Sequence, residues 1–170
     1  YAGFGTAPMK ALKATAAHEY FHAVQFAYAP HEDRWLMEGS AVWAEERAYD
    51  EVNDYLQYVR GDSVITKPSI PSDQDSNANV RVYASMLFFE HLTQRLGVTR
   101  MRDVWKAAQG SRYSLQAVRS VVSRHTNWNQ FINEFGVWNS RPPGIGYAER
   151  NSYPGGRFTI NKALGLKTTR

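Results

Sequence analysis

Residues 9–29 read MKALKATAAHEYFHAVQFAYA, a run with no Gly or Pro that Pro30 stops. Leu12, Ala16, Tyr20, Ala23 and Ala27 recur in it at helical spacing, which predicts one long helix. So many alanines let neighbouring elements approach closely, as a buried active-site helix requires. Within it stands His18-Glu19-Tyr20-Phe21-His22, an H-E-x-x-H. Residues four apart lie one turn up the same helical face. His18 and His22 can therefore aim two imidazoles at one point, at the roughly 2.0–2.1 Å of a zinc–nitrogen bond. Glu19, on the adjoining edge, can reach a metal-bound water without taking a coordination position, the place of a general base in hydrolysis. The plainer reading is an amphipathic helix whose histidines are ordinary core or surface residues. The surrounding chain has to decide between the two.

With 170 residues, 43% of them hydrophobic and 21% charged, the chain is of single-domain size and has the composition of a folded globular protein. We expect one domain over 1–170, with 141–170 as an irregular tail containing Tyr147, Tyr153 and Phe158. The aromatic content of 14% suits a Trp-rich core or a ring-lined cleft equally. Net charge is +4 and the basic residues are scattered, so nucleic acid is not an expected partner. Without cysteine there is no disulfide, thiolate ligand or Cys nucleophile. No apolar run approaches the roughly 18 residues of a membrane span. The first residue is Tyr1 rather than Met, which suggests a processed or excised product.

The remaining pattern is mainly α. Trp35–Tyr49 reads as a second helix despite Gly39, which costs about 1 kcal/mol relative to Ala and so implies close approach to the first helix or to a metal. Glu51–Arg60 reads as a short third helix. Residues 61–80 form a long polar connection, a lid or a surface excursion. Tyr83–Leu96, Thr99–Gln109, Ser114–His125 and Trp128–Ser140 complete the helices, with Ser114 and Asn127 as N-caps for the last two. His91 and His125 lack any partner pattern and read as ordinary histidines.

Catalytic zinc takes three protein ligands and leaves one position open. His31, nine residues past His22, is one candidate for the third, although no turn glycine precedes it. Glu38 is the stronger. It lies sixteen residues past His22, a short turn folds the second helix back over the first, and a carboxylate oxygen suits Zn²⁺.

Taken together, His18-Glu19-x-x-His22 and Trp35-Leu36-x-Glu38-Gly39-x-Ala41 resemble the gluzincin metallopeptidases, which include the thermolysin-like and aminopeptidase N-like enzymes. The longer strings HEYFHAVQ, WLMEGSAVWAEE and VWN (137–139) are similar to a group of bacterial, secreted metalloproteases of that kind. The likeness is concentrated in residues 15–49. It implies the helical part of a zincin-like catalytic domain, Zn²⁺ on His18, His22 and Glu38, Glu19 as base, a peptide or protein substrate and an extracellular location. It also implies an acidic group orienting a ligand histidine: Glu45, with Glu46 or a solvated role as alternatives. Tyr83 opens a later apolar helix, where the aminopeptidase N-like enzymes keep a tyrosine that bonds the tetrahedral intermediate. The Glu-Lys-Gly following their tyrosine is absent here, so a plain core aromatic is the competing role.

In gluzincins a β-sheet precedes the H-E-x-x-H helix. Only seventeen residues precede His18, so the sheet is expected to be absent or truncated, or supplied by a further domain or chain. The Gly-x-Met-Glu-Asn sequence typical of aminopeptidases is missing, which favours endopeptidase action. The rival is a non-catalytic, zinc-stabilised helical module that binds a protein or glycan.

Overall fold

Trp35, Leu36, Met37, Gly39, Ser40, Ala41, Val42, Trp43, Glu45 and Glu46 are all buried along one helix, so it is wrapped on every side, as an interior helix must be. The computed structural model describes residues 7–73, 80–110, 113–140 and 145–155. It contains α1 (Pro8–Tyr28), α2 (Arg34–Ala48), α3 (Leu56–Asp62), α4 (Arg81–Ala84), α5 (Met86–Leu96), α6 (Arg100–Ala108), α7 (Ser114–Val122) and α8 (Trp128–Ser140). A 3-10 turn follows at Arg150–Ser152. No strand occurs among the described residues, so the protein is mainly helical. No helix among them is long and apolar enough to cross a membrane.

The hub is α2, which packs against α1, α4 and α5. Trp35 stacks on Phe89 with ring centroids 5.5 Å apart, and the Trp43 indole N–H donates to Thr93 Oγ1 at 3.0 Å. Gly39 is needed here because a Cβ would lie 2.9 Å from both Phe89 Cε2 and Ser85 Cβ. The close approach is thus to the α4–α5 junction, and neither α1 nor a metal requires it.

Several boundaries differ from expectation for local reasons. The third helix begins at Leu56 instead of Glu51, since Asn53 takes a left-handed φ of 55° and its side-chain amide bonds the Asp50 carbonyl. The helix expected over 83–96 starts at Arg81 and breaks at Ser85, whose hydroxyl donates to the Ser72 and Arg81 carbonyls. Residues 63–73 are pinned by buried Arg81, which donates to the Pro71 and Ile70 carbonyls. The rest of that connection, 74–79, lies outside the described residues. Asn127 caps α8 as expected, its Oδ1 accepting from the Asn129 and Gln130 N–H groups. Ser114 does not cap α7. It is the first helical residue, at φ 24°, and its hydroxyl accepts from the Asp33 N–H while bonding Glu32, so it ties α7 to the α1–α2 turn.

Tyr147 and Tyr153 are buried. Tyr147 donates to Asn139 Oδ1 at 2.9 Å and packs edge-on to Trp138 at 5.2 Å. The described part of the tail therefore completes the core without regular strands; Phe158 lies outside the described residues.

On α1 the faces are reversed from the simplest expectation. Its buried face is Ala11, Ala14, His18 and Gln25. The apolar stripe Leu12–Ala16–Tyr20–Ala23–Ala27 is exposed, with Tyr20 at 75%.

Candidate metal centre

The α1–α2 turn folds α2 back along α1, setting Glu38 opposite the two histidines. The His18 Nε2 lies 3.1 Å from Glu38 Oε2 and the His22 Nε2 3.5 Å from the same oxygen. The imidazole planes stand at 88°, with centroids 4.6 Å apart. One ligand atom from each of the three lies within 4.8 Å of the other two.

What faces away from that point is as informative. His18 Nδ1 lies 2.6 Å from Glu45 Oε1. A carboxylate only accepts, so His18 donates from Nδ1 to Glu45 and from Nε2 to Glu38; a metal ion at this point would take the place of the Nε2 proton and leave the Nδ1–H on Glu45. His22 Nδ1 lies 2.6 Å from Gln25 Oε1. Gln25 is fully buried, and its amide N–H groups are committed to the Met37 carbonyl and Ser40 Oγ. Its oxygen must therefore face His22, whose Nδ1–H donates to it. With Nδ1 tied back in both rings, Nε2 is the nitrogen each histidine can give to a metal once its proton is displaced. Two imidazole nitrogens and one carboxylate oxygen, each imidazole backed by a hydrogen-bond acceptor, make a donor set that fits a zinc ion.

The electrostatics agree. Burial alone would lower His18, but Glu38 and Glu45 outweigh it and raise its pKa to about 9. Burial would raise Glu38, yet the hydrogen bonds from His18 and His22 hold it at about 2. Glu38 likewise raises His22 against the effect of burial. Three groups compete for protons at one point, and a cation can take the protons' place there.

Beside this point opens a cleft of about 330 Å³ lined by Thr15, His18, Glu19, Glu45, Asp54, Tyr58, Val80 and Tyr83. Glu19 is exposed on its wall. Tyr83 is half-buried; its ring lies 6.1 Å from that of His18 and stacks on Tyr58 at 5.0 Å. Burial pushes its phenol above the ordinary value, while a hydrogen bond from Arg34 pulls it back.

All six residues singled out from the sequence, His18, Glu19, His22, Glu38, Glu45 and Tyr83, therefore surround one locus. Glu45 is the one that meets His18, and Glu46 turns towards Asp50 and Glu149. His31 is exposed on the turn and lines a different hollow with Pro30 and Glu32. His91 is buried among Phe131, Phe135 and Trp138, and His125 meets Arg100 at 2.9 Å. The residues that sequence reasoning missed are Gln25 and Arg34. Gln25 left a signal, its place three residues after His22 on the same helical face; Arg34, one turn before Glu38, left only that spacing.

Compared with family models, curated proteins and solved structures, the chain matches none.

Proposed function

We propose that the protein is a zinc-dependent peptidase with a zincin-like catalytic core, hydrolysing internal peptide bonds of a peptide or protein. The observation that carries this reading is the convergence of His18 Nε2 and His22 Nε2 on Glu38 Oε2, with both Nδ1 atoms tied back to Glu45 and Gln25. Bound by His18, His22 and Glu38, zinc would polarise the scissile carbonyl and lower the pKa of water towards 7. Glu45 and Gln25 hold the two imidazoles in the required tautomer and orientation. Glu19, on the cleft wall, takes the proton of the attacking water and passes it to the leaving amine. The Tyr83 hydroxyl accepts from Arg34, which leaves its own proton free to donate to the carbonyl oxygen as negative charge develops. An acid at position 19 has no use in a purely structural metal site, which favours catalysis.

Glu19→Gln should retain stoichiometric zinc and lose cleavage of an unfolded protein substrate; full activity in that variant overturns the mechanism. The exposed stripe on α1 supports a second reading, a zinc-stabilised module that binds a protein. It is equally a surface on which a further domain or chain supplying a sheet would rest. Stoichiometric zinc with no cleavage of any unfolded protein would favour the binding module.

A further inference from the structure

A second group of ligand-type atoms lies at the other end of α2. Glu46, Asp50 and Glu149 each offer a carboxylate oxygen, and these lie within 4.8 Å of one another. Glu46 comes from the last turn of α2, Asp50 from just beyond its end, and Glu149 from the 145–155 segment, where it accepts from the Tyr55 hydroxyl. Oxygens that share a calcium ion at 2.3–2.6 Å stand no more than about 5 Å apart, so the spacing is one that a shared ion permits.

Acidic clusters are common on wetted surfaces, where water satisfies every oxygen. Here two members of the neighbourhood are sealed. Glu46, whose carboxylate belongs to this cluster, is only 4% exposed, and its Oε1 has no hydrogen-bond partner. Glu90 of α5 is 3% exposed and feels the charges of Glu149 and Asp50; its Oε1 takes Arg47 and Gln94, but its Oε2 has no partner. A buried carboxylate oxygen without a donor is strongly unfavourable. The C-terminal end of α2 adds the partial negative charge of its own carbonyls. Such an arrangement is relieved by a cation, and an all-oxygen donor set selects a hard one.

We propose that Glu46, Asp50 and Glu149 bind a calcium ion that fastens the 145–155 segment to the end of α2. The site shares no ligand with the His18–His22–Glu38 centre and stands whether or not that centre holds zinc.

The test uses the full chain with stoichiometric zinc in buffer stripped of calcium by a chelating resin. Calcium at a hundredfold excess over its Kd should raise the melting temperature by about 5–10 °C. Terbium should give tyrosine-sensitised emission that calcium displaces, since Tyr55 bonds a proposed ligand. Asp50→Asn, at an exposed position where folding is not at stake, should abolish the calcium shift, and Glu149→Gln should do the same. Absence of both the shift and the terbium signal overturns the proposal. So does a calcium shift that survives undiminished in both variants, because the ion would then sit elsewhere.

Discussion

Replacing Gly39 with alanine isolates the contact on which the position of Glu38 depends. The new Cβ would stand 2.9 Å from Phe89 Cε2, 2.9 Å from Ser85 Cβ and 3.2 Å from the Ser85 carbonyl carbon. Carbon pairs rest at about 3.5–4.0 Å, so α2 must withdraw by a sizeable fraction of an ångström. Neither neighbour yields easily. Phe89 is fully buried against Trp35, and Ser85 is held at the α4–α5 junction by its bond to the Ser72 carbonyl. Overpacking of this kind costs about 1–3 kcal/mol, while alanine gains about 1 kcal/mol over glycine in a helix interior. Gly136 supplies the reference: it lies exposed inside α8 with nothing within 4 Å of a built Cβ. Gly136→Ala therefore gains the helical contribution alone, about 1 kcal/mol. Subtracting one variant from the other cancels propensity and leaves a gap of about 1–3 kcal/mol, readable in urea titrations. Because Glu38 adjoins Gly39, zinc affinity should weaken in the first variant and hold in the second. Equal stabilisation in both would refute the claim that close packing against Ser85 and Phe89 selects glycine.

Four further outcomes follow from named contacts. Glu45→Ala and Gln25→Leu should each lower zinc affinity about 10–100-fold in competition with a chromophoric chelator; unchanged affinity would mean that the imidazoles orient themselves. Tyr83→Phe should slow peptide hydrolysis about 10²-fold or more while leaving zinc bound, and a drop in zinc content instead would assign Tyr83 to the scaffold. Asn127→Ala should destabilise α8 by about 1 kcal/mol in thermal or urea melts. Burial pushes His91 down to about 3, whereas the unfolded chain takes up that proton below about pH 6.5. The stability His91 carries above pH 6.5 is thus lost as pH falls towards 3, at about 1.4 kcal/mol per pH unit. His91→Leu should flatten that part of the profile in paired urea melts at pH 6 and pH 4, and an unchanged slope would rule out His91 as the source.

The legible parts of the fold were those fixed by near neighbours in the chain. Asn127 announces α8 because its oxygen serves N–H groups two and three residues on. His18 and His22 announce their pairing through the pitch of a helix, and Glu38 through a short turn between two helices. What stayed hidden depends on partners distant in sequence. Ser114 looks like a cap, but Glu32 and Asp33, more than eighty residues earlier, claim its hydroxyl. The break at Ser85 depends on a carbonyl thirteen residues away. Gly39 stands out as a glycine inside a helical pattern, yet only packing identifies Phe89 and Ser85 as the reason.

The reversed faces of α1 carry the same lesson into the site. Apolar periodicity identifies a face without saying which side of the helix is covered. On this helix the covered side includes His18 and Gln25, two groups that resist burial unless every polar atom is matched. The matching is complete here: Glu45 and Glu38 take the two nitrogens of His18, and Met37, Ser40 and His22 take up Gln25. A sequence that buries polar atoms along α1 while exposing Leu12 and Tyr20 is following constraints other than core stability, and such local conflicts are expected at functional sites. The buried polar face is accounted for by the donors it aligns. The exposed apolar face is the mark a covering partner would leave, and charged substitutions at Leu12 and Tyr20 would separate the two roles. If the stripe serves only association, they should abolish partner binding and leave zinc affinity unchanged; a loss of zinc would show that both faces of α1 belong to the site.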